Sequence, residues 1–578
     1  MSGFVLDAYA ARSCPVKTQN LFLPGLQRPE PVDESLEELF NGGQSFKQQM
    51  LGQLVELHGD RAVDCRPWRD RPWPEQVEVA RQALAGGAPV VVSGALPWDW
   101  NGHRSGRADL WLRGPDHPDG APGYYPAMVK LHRVLEKITP GPSHVPVPVS
   151  TLSRPWLEEA QQIPGTALRT ATREPDLLQL AHYWRLLEAA GCAAGGAPYG
   201  AIIATDSVPH LPGRHPVVWV RLDQKVIRTF SRTAAAGWTR RSALERYDHE
   251  HGFRVRVATI AQQQRGEPDD PALAVTPIRI RECDHCLWWQ VCRPQLGDDD
   301  LSLRIPKSPL DVREIAVLRR LHVATLDDLA TVDLDELLPQ YLPEVGHRPG
   351  GEERIRVAAH RARMMVAGVE LERVSEGPID LPVADLEVDL DIETSAEDRV
   401  YLWGFLVTDS RTGGPPQYVS FSDFSPLTEK RERDLAHRAL TWLQEKVASA
   451  IGQVRVYHYS SYEVMRIQRL AQVSPRPAFV WAAQLATTSF VDLFEVVRQH
   501  FFGVHGLGLK QVAQAGPGFT WRDDDPGGLN SQTWFAEAVH ADRPEARAES
   551  RRRVLEYNED DVRATHALRQ WLRASQKP

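Results

Sequence analysis

The feature that most constrains this chain of 578 residues is a short stretch in its last third, residues 388–394, with the sequence VDLDIET. From Val383 onward, apolar and acidic residues come close to strict alternation, which predicts a β-strand with one face packed on a core. The opposite face would carry Glu387, Asp389, Asp391 and Glu393. Crowded carboxylates repel one another, so this face needs either open solvent or a cation. The stretch alone leaves both interpretations open: a solvated edge strand, or a site for a hard divalent metal ion.

Two later segments place further acids in suitable local contexts. Residues 453–459 read as a strand that is followed by an apolar-periodic helix, so Glu463 lies where strand gives way to helix and points into a cleft. Residues 551–571 have a helical pattern in which Tyr557 and Asp561 are four residues apart on one face. A tyrosine and a carboxylate therefore project side by side.

These motifs resemble those of the DEDD exonucleases of the ribonuclease H-like superfamily, in particular the YprB-like branch. That family carries a D-x-E pair on its first strand, a third acid after a later strand, and a Y-x-x-x-D motif on a late helix. The matching residues here are Asp391 and Glu393, Glu463, and Tyr557 with Asp561. The order of predicted elements also fits, with strands near 385–394, 399–408, 416–422 and 453–459 and a helix near 426–450. Glu463 replaces the aspartate of most members and keeps the charge on a longer side chain.

The resemblance implies phosphodiester hydrolysis with two magnesium or manganese ions, which lie about 3.5–4 Å apart in sites of this kind. Asp391 would bridge both ions. Glu393, Glu463 and Asp561 would each hold one ion or support a metal-bound water, and Tyr557 would orient the attacking water.

The totals of the chain bound its class. A chain of this length is expected to form about three or four domains. The formal net charge of −9 argues against a globally basic surface, but a nuclease needs only local basic grooves. No run of apolar residues reaches membrane-spanning length and no signal pattern opens the chain, so the sequence predicts a cytoplasmic protein without membrane contact. It lacks a Walker motif, so helicase work would have to come from a separate partner.

The cysteines predict a metal or iron–sulfur site. Three of them form a C-x2-C-x5-C cluster at Cys283, Cys286 and Cys292, and the isolated ones are Cys14, Cys65 and Cys192. In a cytosolic chain such clustering favours metal ligation over disulfides. Three thiolates need one more ligand to complete the usual four. Nearby His285 is awkwardly placed, and Cys14 or Cys65 would have to come from far along the chain.

The region between these cysteines resembles the RecB-like nucleases of the PD-(D/E)xK superfamily. Strands are predicted at 89–93, 106–112 and 127–131 and a helix at 175–189. The matching motif residues are Asp109 in G-x-x-D, the strand lysine Lys130, and Gln179 and Tyr183 in Q-x-x-x-Y. Iron–sulfur members of this family hold the domain closed with one N-terminal and three C-terminal cysteines. The resemblance therefore implies a 4Fe–4S cluster on Cys14, Cys283, Cys286 and Cys292, where Pro15 favours Cys14 over Cys65. Structural zinc and unligated thiols are the alternatives.

This half departs from its family where catalysis would need it most. Met128 stands where the second acid of the metal site is expected, and Lys47 stands where an earlier helical acid is expected. A thioether and an ammonium cannot replace carboxylates as magnesium ligands. Either the alignment is slipped and Glu56 supplies the missing charge, or the domain keeps its fold without cleavage. We favour the second interpretation, in which the site grips or guides nucleic acid.

Further residues are candidates for nucleic-acid binding. Residues 318–330 resemble a helix-hairpin-helix module, although LHV at 321–323 replaces its usual glycines and a packing linker fits equally well. The helix predicted at 352–369 is locally basic and includes Arg354 and Arg361. Lys510, in the segment GLGLK, resembles a lysine that can meet a substrate phosphate in these exonucleases.

The sequence therefore predicts an α/β multidomain protein. Residues 1–296 would form a RecB-like restriction-endonuclease fold with the cysteine cluster, 297–377 a small helical connector similar to a helix-hairpin-helix, and 378–578 a ribonuclease H-like domain. The function predicted is a metal-dependent 3′–5′ exonuclease, on DNA rather than RNA, in DNA repair or the processing of foreign DNA. The alternative is a non-catalytic nucleic-acid-binding scaffold that works with a helicase. The oligomeric state is left open.

Overall fold

The computed structural model describes residues 3–30, 34–117, 119–137, 144–206, 208, 215–305, 310–523 and 528–575. The chain divides into two compact units, Met1–Arg356 and Val357–Pro578. The three-domain division at residues 296 and 377 stays a prediction. None of the described helices is both long enough and apolar enough to cross a membrane.

The strands of the first unit are β1 (Ala62–Asp64), β2 (Val90–Val92), β3 (Leu110–Arg113), β4 (Tyr124–Val129), β5 (Leu135–Lys137), β6 (His144–Val145), β7 (Pro148–Ser150), β8 (Gln161–Gln162), β9 (Thr166–Arg169), β10 (Tyr199–Ile203), β11 (Val217–Arg221), β12 (Ile227–Phe230) and β13 (Trp238–Arg241). Its helices are α1 (Pro15–Phe22), α2 (Glu34–His58), α3 (Trp73–Ala85), α4 (Thr170–Ala189), α5 (Ala243–Gln262), α6 (Trp289–Cys292), α7 (Leu301–Arg304), α8 (Val312–Arg320), α9 (Leu326–Thr331) and α10 (Leu334–Val345). A further helix, α11 (Gly351–Val366), runs across the boundary between the units.

The core of the first unit is a mixed sheet in the order β1-β2-β3-β4-β10-β11-β7-β8. Strand β4 pairs antiparallel with β3 and parallel with β10, and the parallel pair is possible because α4 and several short strands lie between β4 and β10. Both faces of β4 are buried, which explains its continuous apolar sequence. The antiparallel pairing brings the start of β3 next to the end of β4, so that Asp109 and Lys130 lie at the same end of these two strands.

Helices α8 and α9 form the pair that resembles a helix-hairpin-helix module. Each begins with a capping box, formed by Asp311 with Glu314 and by Thr325 with Asp328. Between them His322 adopts a positive φ of 63°, the conformation for which such hairpins normally use glycine. The backbone of the hairpin therefore forms without the glycines.

The second unit contains the strands β14 (Leu371–Arg373), β15 (Leu386–Thr394), β16 (Val400–Asp409), β17 (Gln417–Ser422), β18 (Val454–His458), β19 (Phe490–Asp492) and β20 (Phe501–Gly503). Its helices are α12 (Glu429–Ala448), α13 (Tyr462–Val473), α14 (Pro477–Thr488), α15 (Leu493–His500), α16 (Leu509–Ala515), α17 (Gly528–His540) and α18 (Pro544–Ala574). Its main sheet has the order β17-β16-β15-β18-β19, antiparallel from β17 to β15 and parallel from β15 to β19.

The acidic strand β15 lies at the centre of this sheet, not at an edge. Its apolar face packs with α12, α13 and α14 through side chains that include Val388, Leu390, Leu440 and Ile467. The solvated edge strand is therefore excluded, because the acidic face is buried as well: Glu387 is 5% exposed and Asp389 is fully buried.

Two arginines of α18 neutralise the first two acids of this face. The guanidinium of Arg569 is fully buried, and it donates to Asp389 Oδ1 at 3.0 Å and Oδ2 at 2.8 Å as well as to Glu387. Arg573, one helical turn further, donates to Glu387 Oε1 at 2.6 Å. These ion pairs fix the long C-terminal helix against the central strand.

Replacing Arg569 with methionine is expected to lower the free energy of unfolding of the second unit by about 3–5 kcal/mol, because the fully buried Asp389 loses its guanidinium partner while Glu387 keeps Arg573. Urea denaturation followed by circular dichroism measures the loss. The matched control is Arg552→Met on the same helix, where Arg552 is 54% exposed and pairs with glutamates at the surface, so little or no change is expected. Equal losses in the two variants would contradict the assigned role of Arg569.

Candidate metal centre and a second polar cluster

Three acids from two elements converge at the far end of the acidic face. Asp391 and Glu393 come from β15 and Asp561 comes from α18, and one carboxylate oxygen of each lies within 4.8 Å of the others. The strand alternation places the first two on one face, and the packing of α18 on β15 brings the third to them. These are three of the four metal ligands that the sequence predicts.

The carboxylates are oriented by neutral hydrogen-bond donors. Asn558 Nδ2 donates to Asp391 Oδ2 at 2.7 Å, Ser531 Oγ donates to Glu393 Oε2 at 2.6 Å, and Trp521 Nε1 donates to Asp561 Oδ1 at 2.7 Å. Sequence reasoning missed all three donors. Trp521 lies in the loop that precedes α17, and residues 524–527 of that loop lie outside the described residues.

Further hydrogen bonds hold two of these donors in place. Tyr418 donates its hydroxyl proton to Asn558 Oδ1 at 2.7 Å, and the Tyr401 hydroxyl lies 2.6 Å from Ser531 Oγ. Both tyrosines come from neighbouring strands of the sheet, and their partners come from α17 and α18. The orientation of the acids is therefore set by the sheet and by both C-terminal helices.

Among the described residues, Lys510 places a positive charge near these acids and acts to lower the pKa of Glu393 and Asp561. At an effective dielectric constant of about 20, two carboxylates at such a separation repel by about 3–4 kcal/mol. Burial and then this repulsion raise the pKa of Asp391 well above its ordinary value. Burial likewise raises the pKa of Glu393 to about 8 and that of Asp561 to about 6. The three carboxylates therefore outnumber Lys510, and the site needs protons or a further cation to balance them.

The oxygen donors and their charge fit a hard divalent cation. Magnesium and manganese prefer carboxylate oxygens, and several must converge from separate elements to hold them. Each of the three carboxylates has one oxygen occupied by the neutral donor described above, and Asp561 also has a hydrogen bond with Tyr557. Asp391, Glu393 and Asp561 are the residues that would hold the ion.

Glu463 lies beside this group but not within it. It begins α13 directly after β18, as predicted, and is 3% exposed. Its Oε2 lies 3.6 Å from Nδ1 of His458. Burial alone would lower the pKa of His458, but the carboxylate of Glu463, together with the Ser460 backbone and Asp492, raises that pKa. Its charge is close enough to raise the pKa values of Asp391 and Glu393. The structure therefore gives Glu463 a histidine partner that the sequence did not indicate.

Tyr557 and Lys510 lie together at the site. Lys510 Nζ donates to the Tyr557 hydroxyl oxygen at 2.7 Å, and the phenol adjoins Asp561 on the next turn of α18. Burial, and then the neighbouring carboxylates, raise the pKa of Tyr557 above its ordinary value. The phenol therefore keeps its proton at neutral pH and can donate it in a hydrogen bond.

The first unit holds a second polar cluster around the predicted RecB-like residues. Asp109 Oδ2 accepts from the backbone N–H of Val129 at 2.9 Å, and its Oδ1 lies 3.0 Å from Lys47 Nζ. Met128 is fully buried in the core. Glu56 lies nine residues beyond Lys47 on α2, about 13 Å along the helix, and is exposed. The slipped alignment is therefore not supported.

Lys130 completes this cluster together with an acid that the motif search missed. Its Nζ donates to Gln179 Oε1 at 2.7 Å and lies 3.3 Å from Oδ1 of Asp176, a residue one turn earlier on α4. Asp176 also pairs with His132 at 3.2 Å. Gln179 Nε2 in turn donates to the Tyr183 hydroxyl at 3.3 Å. Burial lowers the pKa of Lys130 to about 8. The predicted residues thus come together, but ammonium groups contact both acids.

The four cysteines predicted to act together line one pocket. Cys14 stands at the start of α1, and Cys283, Cys286 and Cys292 line the same pocket together with Trp288. All four are free thiols. Burial raises the pKa of Cys14, and that of Cys292 to about 11. No three of their sulfurs lie within 4.8 Å of one another among the described residues. The isolated Cys65 and Cys192 do not line the pocket.

Two residues predicted to bind nucleic acid are corrected. Arg354 donates from Nε to the buried Glu314 at 2.9 Å, and Arg361 is 8% exposed with its guanidinium 5.2 Å from the Phe502 ring centroid. Neither guanidinium is open to a phosphate. Helix α11 does carry positive charge, but Arg354 and Arg361 lie on the side of the helix that packs.

Comparison with known proteins identifies the class of the second unit. Residues 388–573 match the model of the RNase H superfamily, so this part of the chain is an RNase H superfamily domain. No curated protein matches the chain. A solved structure described as "3'-end specific recognition of histone mRNA stem-loop by 3'-exonuclease" matches with 10% sequence identity and a TM-score of 0.20. The match covers 45% of this chain and 86% of that one, and it is too distant to bear on function.

Divalent metal ions are expected to stabilise the second unit more at pH 8 than at pH 6. Because the folded-state pKa values of Glu393 and Asp561, about 8 and about 6, lie above their unfolded values, the metal-free fold loses stability as pH rises through this range. Bound cations would remove that loss. Thermal unfolding with EDTA or manganese at both pH values measures it.

The control for this measurement is Asp391→Asn, which should be more stable than the wild type without metal and should lose most of the manganese effect. An identical manganese shift in the variant, or at both pH values, would contradict the assignment of the site.

Proposed function

We propose that this protein is a metal-dependent nuclease whose second unit hydrolyses phosphodiester bonds, as a 3′–5′ exonuclease acting on DNA. The observation that carries the proposal is the convergence of Asp391, Glu393 and Asp561 within 4.8 Å in an RNase H superfamily domain. When bound there, two divalent ions would activate a water molecule and stabilise the departing oxygen of the phosphodiester. The 3′–5′ polarity and the preference for DNA rest on the resemblance to the DEDD exonucleases.

The residues of the chain divide the remaining work. Asp391, Glu393 and Asp561 would hold the cations, with their oxygens aimed by the neutral donors. Glu463 adds a buried negative charge beside them. Tyr557, which keeps its proton, would donate a hydrogen bond to the attacking water and so fix its direction.

Lys510 is proposed to serve the substrate as well as Tyr557. Its Nζ is 2.7 Å from the phenol oxygen, and its charge acts to lower the pKa of Glu393 and Asp561, which places an ammonium beside the converging acids. Such a group can attract a phosphate oxygen of the strand. This extends the sequence prediction for Lys510 from substrate binding to the positioning of Tyr557.

Asp391→Ala and Glu463→Ala are each expected to abolish cleavage of end-labelled single-stranded DNA with manganese present, while binding of the strand is kept. Each substitution removes a carboxylate whose charge the cations require, and such a loss at a metal site typically lowers activity more than a surface substitution does. Asp542→Asn, an exposed carboxyl outside the site, is the matched control and should cleave normally. Gel analysis of products with 5′ and 3′ labels also measures polarity, and a parallel RNA substrate measures preference.

The other outcomes of this experiment point elsewhere. Cleavage that survives both variants would sink the proposal for the second unit and move the chemistry to the Asp109–Lys130 cluster. Absence of cleavage in the wild type, with binding retained, would favour a scaffold that presents nucleic acid to a separate helicase.

In the first unit we propose that the Asp109 cluster binds nucleic acid without cutting it. Lys47 Nζ at 3.0 Å from Asp109 already supplies a cation where a metal would sit. Lys130 does the same for Asp176. Because ammonium groups already pair with both acids, magnesium binding there is unfavourable, whereas a phosphate group could accept hydrogen bonds from several donors.

We also propose a 4Fe–4S cluster on Cys14, Cys283, Cys286 and Cys292. Four thiolates on one zinc ion, with Zn–S bonds of about 2.3 Å, would bring their sulfurs to about 3.8 Å from one another. The spacing of these sulfurs, with no three within 4.8 Å, favours a larger group in which each thiolate ligates a different iron. The cluster would tie α1 to residues 283–292 and close the ends of the domain onto each other.

Chain purified without oxygen is expected to contain about four iron and four acid-labile sulfide per molecule. Cys14→Ser should lose most of both, because one of the four ligands is removed. Cys192→Ser is the matched control, since Cys192 lies away from the pocket, and it should keep them. One zinc without sulfide would establish the zinc alternative, and full iron content in Cys14→Ser would contradict the ligand set.

A further inference from the structure

Four tryptophans gather in two neighbouring segments of the first unit, outside the sites described above. Trp68 and Trp73 belong to residues 66–73, which lead into α3, and Trp98 and Trp100 lie in the loop between β2 and β3. Trp98 and Trp100 are 41% and 51% exposed, and Trp68 is 38% exposed. Exposed tryptophans at this density are unusual for a surface without a partner.

The rings form an ordered array. Trp73 stacks on Trp98 with ring centroids 6.3 Å apart and an interplanar angle of 29°. Trp100 meets Trp98 edge to face at 5.1 Å and 83°. The indole N–H of Trp73 is buried and has no hydrogen-bond acceptor among the described residues. We define Trp73, Trp98 and Trp100 as the tryptophan platform.

Polar contacts fix the two segments relative to each other, so the fold itself determines the arrangement of the platform. Gln76 is 8% exposed, and its amide nitrogen donates to the backbone oxygens of Arg69 at 3.0 Å and Arg71 at 2.6 Å. The Gln76 Oε1 accepts a hydrogen bond from Arg107 Nη1 at 2.7 Å. In the loop, Asp99 pairs with Arg104 at 2.7 Å.

The charge around the platform is positive. The guanidinium of Arg107 lies 5.8 Å from the Trp73 ring centroid. Arg107, Arg69 and Arg71 have no ion pair within the described part of the chain, and Asp70 is the one acid interleaved with the last two. The acid of the loop, Asp99, is already neutralised by Arg104. Unpaired guanidinium groups beside stacked indoles favour an anionic ligand with flat apolar rings.

We propose that the tryptophan platform binds single-stranded nucleic acid, with bases stacked on Trp98 and Trp100 and phosphates held by Arg107, Arg69 and Arg71. Single strands offer unpaired bases for stacking, whereas a duplex hides them. Arg107 stands two residues before Asp109, so the strand would continue toward the lysine-containing Asp109 cluster. This binding needs no metal ion and does not depend on the proposed nuclease activity.

The test uses the full chain with EDTA, which prevents cleavage, and a fluorescein-labelled oligothymidylate of about 16 nucleotides. Fluorescence anisotropy measures its affinity. Trp98→Leu keeps an apolar side chain but removes the wide ring, and we expect it to weaken binding roughly tenfold or more. Trp98→Phe keeps a stacking surface and should retain most of the affinity. Trp100→Leu tests the second ring independently, and each variant is checked for an unchanged melting temperature.

The charge component is tested with Arg107→Gln. Because it removes one phosphate contact, the slope of log affinity against log salt concentration should fall by about 0.7 for a single strand. The matched controls are Arg232→Gln, an exposed arginine away from the platform, and Leu273→Ala, an exposed apolar side chain, and both should bind as the wild type does. An oligouridylate of the same length distinguishes RNA from DNA.

Location is tested by photocrosslinking an oligonucleotide that contains iodinated uracil and mapping the products by mass spectrometry. Crosslinks to residues 95–107 are expected. Affinities of Trp98→Leu and Trp100→Leu within twofold of the wild type, or crosslinks confined to the second unit, would overturn the proposal. The former result would indicate that the platform docks an apolar protein segment instead.

Discussion

The second unit depends on how buried negative charge is balanced along one strand. Glu387, Asp389, Asp391 and Glu393 occupy alternate positions of β15, which is central in its sheet and leaves none of them free in solvent. Isolated buried carboxylates are too costly to persist without a counter-charge or a proton. The first two acids receive guanidinium groups from α18, whereas the last two receive neutral hydrogen-bond donors, and the charge of Lys510 acts on Glu393. The strand therefore has one half that the protein neutralises and one half that requires an external cation or protons.

Helix α18 supplies both halves from successive turns. Tyr557, Asp561, Arg569 and Arg573 recur at multiples of four residues and face the strand along its length. A helix rises about 6 Å over four residues, close to the distance between alternate residues of a strand, so each turn of the helix meets one acid. The arginine pairs that stabilise the helix against β15 thus also set the position of Asp561 beside Asp391. The same contacts between α18 and β15 therefore determine both the stability of the second unit and the geometry of its site.

Periodicity and motif spacing were enough to predict the acidic strand, the position of Glu463 and the Tyr557–Asp561 pair, because each depends on local backbone geometry. The pairing of Arg569 with Asp389 joins residues 180 positions apart and has no local signal. The contact of Trp521 with Asp561 has no local signal either, because it joins residues 40 positions apart. The basic pattern of α11 was a poor guide to nucleic-acid binding for a related reason. The buried residues Ile355, Ala358, Ala359 and Ala362 show which side of the helix packs, whereas the number of arginines does not show on which side each one lies. The resemblance of the first unit to RecB-like nucleases stays a prediction.

The two acidic clusters of the chain differ in where their counter-charge comes from. Asp109 and Asp176 have Lys47, Lys130, Arg12 and His132 within 4 Å, so that protein cations outnumber the carboxylates. Asp391, Glu393 and Asp561 lie near Lys510, whose charge acts on Glu393 and Asp561, but burial raises the pKa values of all three acids. A divalent cation approaching the first cluster must displace ammonium groups, whereas at the second it relieves repulsion that the fold already contains. Electrostatics alone therefore favours metal chemistry in the second unit and anion binding in the first, which is the division of work that the eroded motif at Met128 and Lys47 suggested from the sequence.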